Sequence, residues 1–135
     1  MIRDSARTIR SVDALGQQQL RVEWSDGIVV NLDIPQGRGT VEPSDWGHSL
    51  VWEDGTELSA DTLWLGTLTA IGRDDARQFL EWRLSNALSL ARAAEELGLS
   101  RRTVAYYSNG TRAVPKAILL ACKGWDATHP TRKAA

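Results

Sequence analysis

The sequence predicts an α+β chain, in which a small antiparallel-sheet module at the N-terminal end is followed by an all-α helix-turn-helix domain of four or five helices. Three observations carry this expectation. Through the first half, apolar and polar residues alternate with a period of two between Asp-Gly turns. Beyond Gly72, β-branched residues thin out and apolar residues recur at spacings of three and four. The charge divides in the same place: residues 1–70 hold five arginines against eleven carboxylates, a net of −6, while residues 71–135 hold eleven basic residues against six acids, a net of +5. The overall −1 therefore conceals an opposition between halves, and clustered Lys and Arg in one half are what binding to a polyanion requires.

In the first half, Gln19-Leu20-Arg21-Val22-Glu23-Trp24 alternates, Ser25-Asp26-Gly27 turns, and Ile28 to Ile34 resumes with β-branched residues, which together form a hairpin signal. The same turn chemistry recurs at Asp54-Gly55 after Ser49-Leu50-Val51-Trp52. The stretch Pro35 to Pro43, with Gly37 and Gly39, reads as a loop, and Ser59 is a suitable N-cap for a short helical turn through Leu65. Two to four strands make a sheet that is marginal alone and needs something packed on it. The module is expected to end between Gly66 and Arg73, giving a domain over 1–68 and a second over 72–127, with 128–135 a flexible tail. The second domain opens with a helix whose face is formed by Ala76, Phe79, Leu80, Leu84 and Ala87.

Residues 88–115 read LSLARAAEELGLSRRTVAYYSNGTRAVP, and their spacing meets the steric demands of two short helices crossing at a tight turn. Ala94 must be small because the second helix crosses over it. Gly98 must take the left-handed conformation that ends the first helix, and Val104 fills the space between the two. Ala93, Leu97, Leu99 and Tyr107 take the remaining inward positions. Ser100 caps the second helix, leaving Arg101, Arg102, Ala105 and Tyr106 on its outer face.

This stretch resembles the Xre/Cro-like (phage-repressor-like) helix-turn-helix family, whose members continue after the recognition helix with a polar residue, Gly, a basic residue and Pro. Here those are Asn109-Gly110, Arg112 and Val114-Pro115, and Pro115 can open a further helix through Ile118, Leu119 and Cys122. The resemblance implies a helix at about 101–108 in the major groove of double-stranded DNA. Arg101 and Arg102 are then candidates for base or phosphate contacts, Thr103 and Tyr106 for neighbouring bases or backbone, and Asn109, Arg112 and the amides near Gly110 for phosphate clamping. Ser100 stands at the helix start within the same set. Many relatives carry Gln at the first position of the earlier helix; this chain has Leu90, so either Ser89 makes that phosphate contact or the contact is missing. The short C-terminus also departs from repressors that dimerise through a fifth helix.

In the first half, the hairpin Leu20-Arg21-Val22-Glu23-Trp24-Ser25-Asp26-Gly27, with the run from Leu50-Val51-Trp52-Glu53-Asp54-Gly55 through Leu63, resembles the DUF2442 family. Members carry a longer middle between these motifs than the Gly/Pro loop present here. The resemblance implies a small α+β module and, by association, toxin-like partners or fusion to DNA-binding domains, and it assigns no activity.

Six tryptophans, at 24, 46, 52, 64, 82 and 125, are expected to serve core and interface packing, with base stacking or a ligand cage the lesser alternative. Trp46 and Trp64 are candidates to join domains or subunits. The lone Cys122 lies in an apolar stretch and reads as a core residue. No Cys/His cluster has metal-ligand spacing, and Asp26 and Asp54 both occupy turns where a backbone role suffices. Neither an enzyme, a cofactor nor a metal is expected. No apolar run reaches the roughly 20 residues of a membrane span, and a cytoplasmic location follows as the expectation. The leading expectation is a homodimeric transcriptional regulator, a repressor, whose acidic module supplies the dimer or partner surface. Its rival is an antitoxin-like protein-binding module whose acidic half binds a basic partner.

Overall fold

The computed structural model describes residues 7–16 and 18–130, and these fall into two compact units, 7–71 and 72 onward. The chain is α+β. In the first unit β1 (Ile9–Ala14), β2 (Gln19–Trp24) and β3 (Val29–Asp33) form one antiparallel sheet in that order. β4 (Val41–Ser44), β5 (Ser49–Trp52) and β6 (Glu57–Ser59) form a second, and α1 (Ala60–Ala70) follows.

The alternation in β2 does what a period of two dictates: Leu20, Val22 and Trp24 are buried while Gln19 and Arg21 are exposed. Val30 and Leu32 of β3 face the same way, and register pairs Leu20 with Leu32 and Val22 with Val30. Both Asp-Gly hairpins use three-residue loops. The Gly27 amide donates to the Trp24 carbonyl and the Trp24 amide to the Ile28 carbonyl, each at 2.8–2.9 Å; Gly55, Trp52 and Thr56 repeat the pattern. The positive φ falls on the glycine alone, 95° at Gly27 and 90° at Gly55.

Two strands depart from the sequence expectation. β1 carries one buried apolar side chain, Ile9, and a half-buried Val12 among Arg10, Ser11 and Asp13, so its pattern is weak, and a bulge between Ile9 and Ser11 interrupts it further. The expected loop over 35–43 ends early because Val41–Ser44 pairs with β5. Pro43 is tolerated there because β4 is an edge strand, where one row of amides has no ladder partner to donate to.

α1 is a helix of 11 residues rather than a short turn. Ser59 caps it, its hydroxyl accepting from the Thr62 amide at 3.2 Å. Its buried face, Ala60, Leu63, Trp64, Thr67 and Leu68, covers the sheet. Trp24 is fully buried, stands edge-on to Trp64 at 5.0 Å, and donates its indole N–H to the Thr67 hydroxyl at 3.0 Å. Trp64 is therefore core of its own unit and not the joining residue expected.

The second unit holds α2 (Asp74–Ser85), α3 (Leu90–Leu97), α4 (Arg101–Asn109) and α5 (Lys116–Thr128) around Phe79, Trp82, Leu88, Val104, Tyr107, Val114 and Trp125. Ala76, Phe79 and Leu80 of the expected face of α2 are buried, but its last turn departs from it: Trp82 and Arg83 are inside, Leu84 is half-buried, and Ala87, past the helix, is exposed at φ 53°. The helix stops at Asn86, whose side-chain amide donates to the Trp82 carbonyl at 2.8 Å, so the period of 3.6 no longer governs residue 87. Order also runs past residue 128 of the expected tail. His129 stacks on Trp125 at 3.8 Å and 9°, while residues 131–135 of that tail lie outside the described residues. Cys122 is buried; burial, then the Asp126 carboxylate, push its thiol up to about 12, so it packs as a neutral side chain.

Candidate nucleic-acid interface

The outer face of α4 is built from the turn that precedes it. Ser89 caps α3 by accepting from the Arg92 amide at 3.0 Å, and α3 ends at Gly98, left-handed at φ 70° and ψ 33°. The next amide, of Leu99, donates to the Ala94 carbonyl at 2.9 Å, and Ser100 caps α4 by accepting from the Thr103 amide at 3.0 Å. The turn between the helices is thus the three residues Gly98–Ser100. Ala94 (6% exposed) and Val104 (0%) lie in the same core, and Tyr107 meets Phe79 edge-on at 5.4 Å.

Two polar supports hold α4 and its exit. Arg83 is 2% exposed and donates to the Leu88 carbonyl at 3.0 Å and the Ser108 hydroxyl at 3.3 Å, tying α2 to α4. Arg73 pairs with Asp75 at 3.1 Å and donates to the carbonyls of Gly110 and Arg112. Asp75 in turn accepts from the Val114 amide at 2.8 Å. The Arg73 guanidinium, working against burial and helped by Val114, holds the Asp75 carboxyl down to about 2. The segment 110–114 is therefore fastened along its length. Neither support was recognised in the sequence; the Arg73-Asp74-Asp75 run at a helix start is the signal that marked the second.

Fixed from beneath, α4 turns Arg101 and Arg102 fully outward and leaves Thr103, Ala105, Tyr106 and Asn109 half-exposed. Arg112, just past the helix, is exposed; its guanidinium lies 4.7 Å from the Tyr106 ring centre, and that of Arg102 lies 5.8 Å from it. Arg102, Tyr106 and Arg112 are thereby brought together. The Ser100 hydroxyl donates to that of Thr103 at 2.8 Å, so these two serve the cap first. Asn109 is the last residue of α4. Leu90 is buried, which removes it from any outward contact, and exposed Ser89 remains at the start of α3.

The other arginines among the described residues of this unit are engaged: Arg73 with Asp75, Arg77 with Glu81 at 3.3 Å, Arg92 with Glu96 at 3.4 Å, and Arg83 inside the core. Arg101, Arg102 and Arg112 have no carboxylate partner among the described residues, and no acid occupies the first turn of α4. Two cations thus sit at the positive end of a helix dipole, an arrangement that an external anion relieves.

In the first unit both turn aspartates are structural. Asp54 accepts from the Arg38 and Thr56 amides at 2.8 and 2.9 Å, and amide donation lowers its carboxyl pKa. Asp26 pairs with Arg7 and accepts from the Ile28 amide. Trp46 is 94% exposed on a 3-10 turn whose residues Asp45 and Trp46 both have positive φ, whereas the other five tryptophans are buried.

Fold and site together define a two-unit α+β chain whose second unit presents a helix-turn-helix with an unneutralised arginine face. The chain is similar, at 34% identity over 92% of its own length and 89% of the other's, with a TM-score of 0.59, to the solved structure of "Putative DNA Binding Protein NE0471 from Nitrosomonas europaea ATCC 19718". It belongs to the same family as that protein. No protein-family model and no curated protein matches the chain. No helix among the described residues is long and apolar enough to cross a membrane.

Proposed function

We propose that this chain is a sequence-specific DNA-binding transcriptional regulator, of repressor type, that reads the major groove with α4. The observation carrying this reading is the trio Arg101, Arg102 and Arg112: exposed, without a carboxylate partner among the described residues, and presented by α4 and its exit, the inner face of the helix being locked into the core. The name of the Nitrosomonas europaea relative points the same way. Xre/Cro-like geometry for the second unit and a DUF2442-type first unit fit this reading, as does a homodimer on a palindrome with half-sites roughly one helical turn apart. The test is a mobility shift against the DNA upstream of the protein's own gene. Salt-sensitive retention of one fragment over bulk DNA is expected, and its absence would refute sequence-specific binding.

A second reading, antitoxin-like capture of a protein partner, is favoured by Trp46. An exposed tryptophan on a left-handed backbone, which costs about 1 kcal/mol or more at each non-glycine residue, is the form of an interface anchor. The acidic balance of residues 1–70 selects a basic partner. A basic protein that co-purifies should then be lost on Trp46→Ala and retained on the double change Arg101→Ala and Arg102→Ala; the reverse pattern would remove this reading.

A further inference from the structure

We infer that the three arginines divide the work: Arg101 is the base-reading, specificity-determining residue, while Arg102 and Arg112 form a phosphate clamp that Tyr106 positions. This rests on the DNA-binding reading and deepens it. Arg101 is exposed and lies over no aromatic ring, so its side chain remains free to extend into a groove and meet a guanine edge with both nitrogens. Arg102 and Arg112 are already committed to one ring, at 5.8 and 4.7 Å from its centre. A guanidinium held against an aromatic face loses rotamer freedom before binding, so less is lost when it meets a phosphate. Two guanidinium groups within about 6 Å of one ring centre, neither with a carboxylate partner among the described residues, offer a pair of cations that adjacent phosphates of one strand fit. Arg112 is suited to a fixed contact for a second reason: its own carbonyl accepts from Arg73 at 3.3 Å, so backbone and side chain are both restrained.

The roles separate in two measurements on the full chain with a random-sequence duplex library: the base preferences selected, and the dependence of affinity on salt for the selected pool. Arg101→Ala should flatten the preference at one base pair and leave the salt slope nearly unchanged. Arg102→Ala and Arg112→Ala should weaken binding evenly across sequences and reduce the slope by about 0.9 each. Tyr106→Ala should lose binding tenfold or more with the same even pattern, and Tyr106→Phe, which keeps the ring, should restore it. In the free protein, the Nε–H resonance of Arg112 should move when the ring is removed by Tyr106→Ala and hold in Tyr106→Phe, a readout independent of DNA. Flattened preference from Arg102→Ala with none from Arg101→Ala would overturn the division of labour, as would an Arg112 resonance indifferent to Tyr106→Ala. If the unaltered protein shows no salt-sensitive binding to the library, the DNA-binding reading falls and the assignment with it.

Discussion

Gly98 shows how far a single residue can be read in advance. Its φ of 70° is the left-handed value that the turn spacing demanded, and a Cβ there would meet nothing within 4 Å. The penalty of Gly98→Ala is therefore backbone strain alone, and urea unfolding should register a loss of about 1 kcal/mol. Asp75 pairs with Arg73 two residues away, but its role was not foreseen, because what the pair holds, the Val114 amide and the Gly110 and Arg112 carbonyls, lies more than thirty residues away. Its pKa is lower folded than unfolded, so the stability it contributes is present above about pH 4 and disappears as pH falls toward 2. Discounted for a side chain 27% exposed, Asp75→Asn should lose about 1 kcal/mol at neutral pH, and the difference from the unaltered protein should vanish near pH 2.

Among the elements, α3 and α4 were legible because each constraint on them is local and steric: a small residue, a left-handed glycine, a plug and two serine caps. β2 and β3 were legible through strict alternation. β1 and β4 were not, since strands held mainly by backbone pairing, with one buried apolar residue in β1 and a proline in β4, carry little side-chain pattern. The inward turn of Arg83 was hidden for a related reason, as a basic residue on a helix is assigned to solvent unless its distant acceptors are known. Arg83→Leu leaves the Leu88 carbonyl and Ser108 hydroxyl without that donor, so thermal melts should show a loss of about 2–4 kcal/mol. Arg101→Ala with Arg102→Ala, both exposed, should leave the melting temperature almost unchanged while weakening DNA binding by about 2–5 kcal/mol. A large fall in melting temperature would mean that α4 is a packing helix.

At the scale of the molecule, the near-neutral total charge is the sum of an acidic and a basic part, and that division was visible by counting. What counting did not show is that Arg73, Arg77 and Arg92 pair with carboxylates and Arg83 is buried, whereas Arg101, Arg102 and Arg112 stand exposed on α4 and its exit without a carboxylate partner among the described residues. The α+β class follows from the same residues that set the two periodicities; the orphan exposure of Trp46 does not, because it depends on how the Asp45–Gly47 turn is held. The central claim is that the arginine face meets DNA. Affinity for a duplex should be measured as a function of salt in the unaltered protein and in the variant carrying Arg101→Ala, Arg102→Ala and Arg112→Ala. The account predicts a steep salt dependence that flattens by roughly two units of slope in the variant, with the fold intact. Equal affinity and equal slope in the two proteins would contradict it.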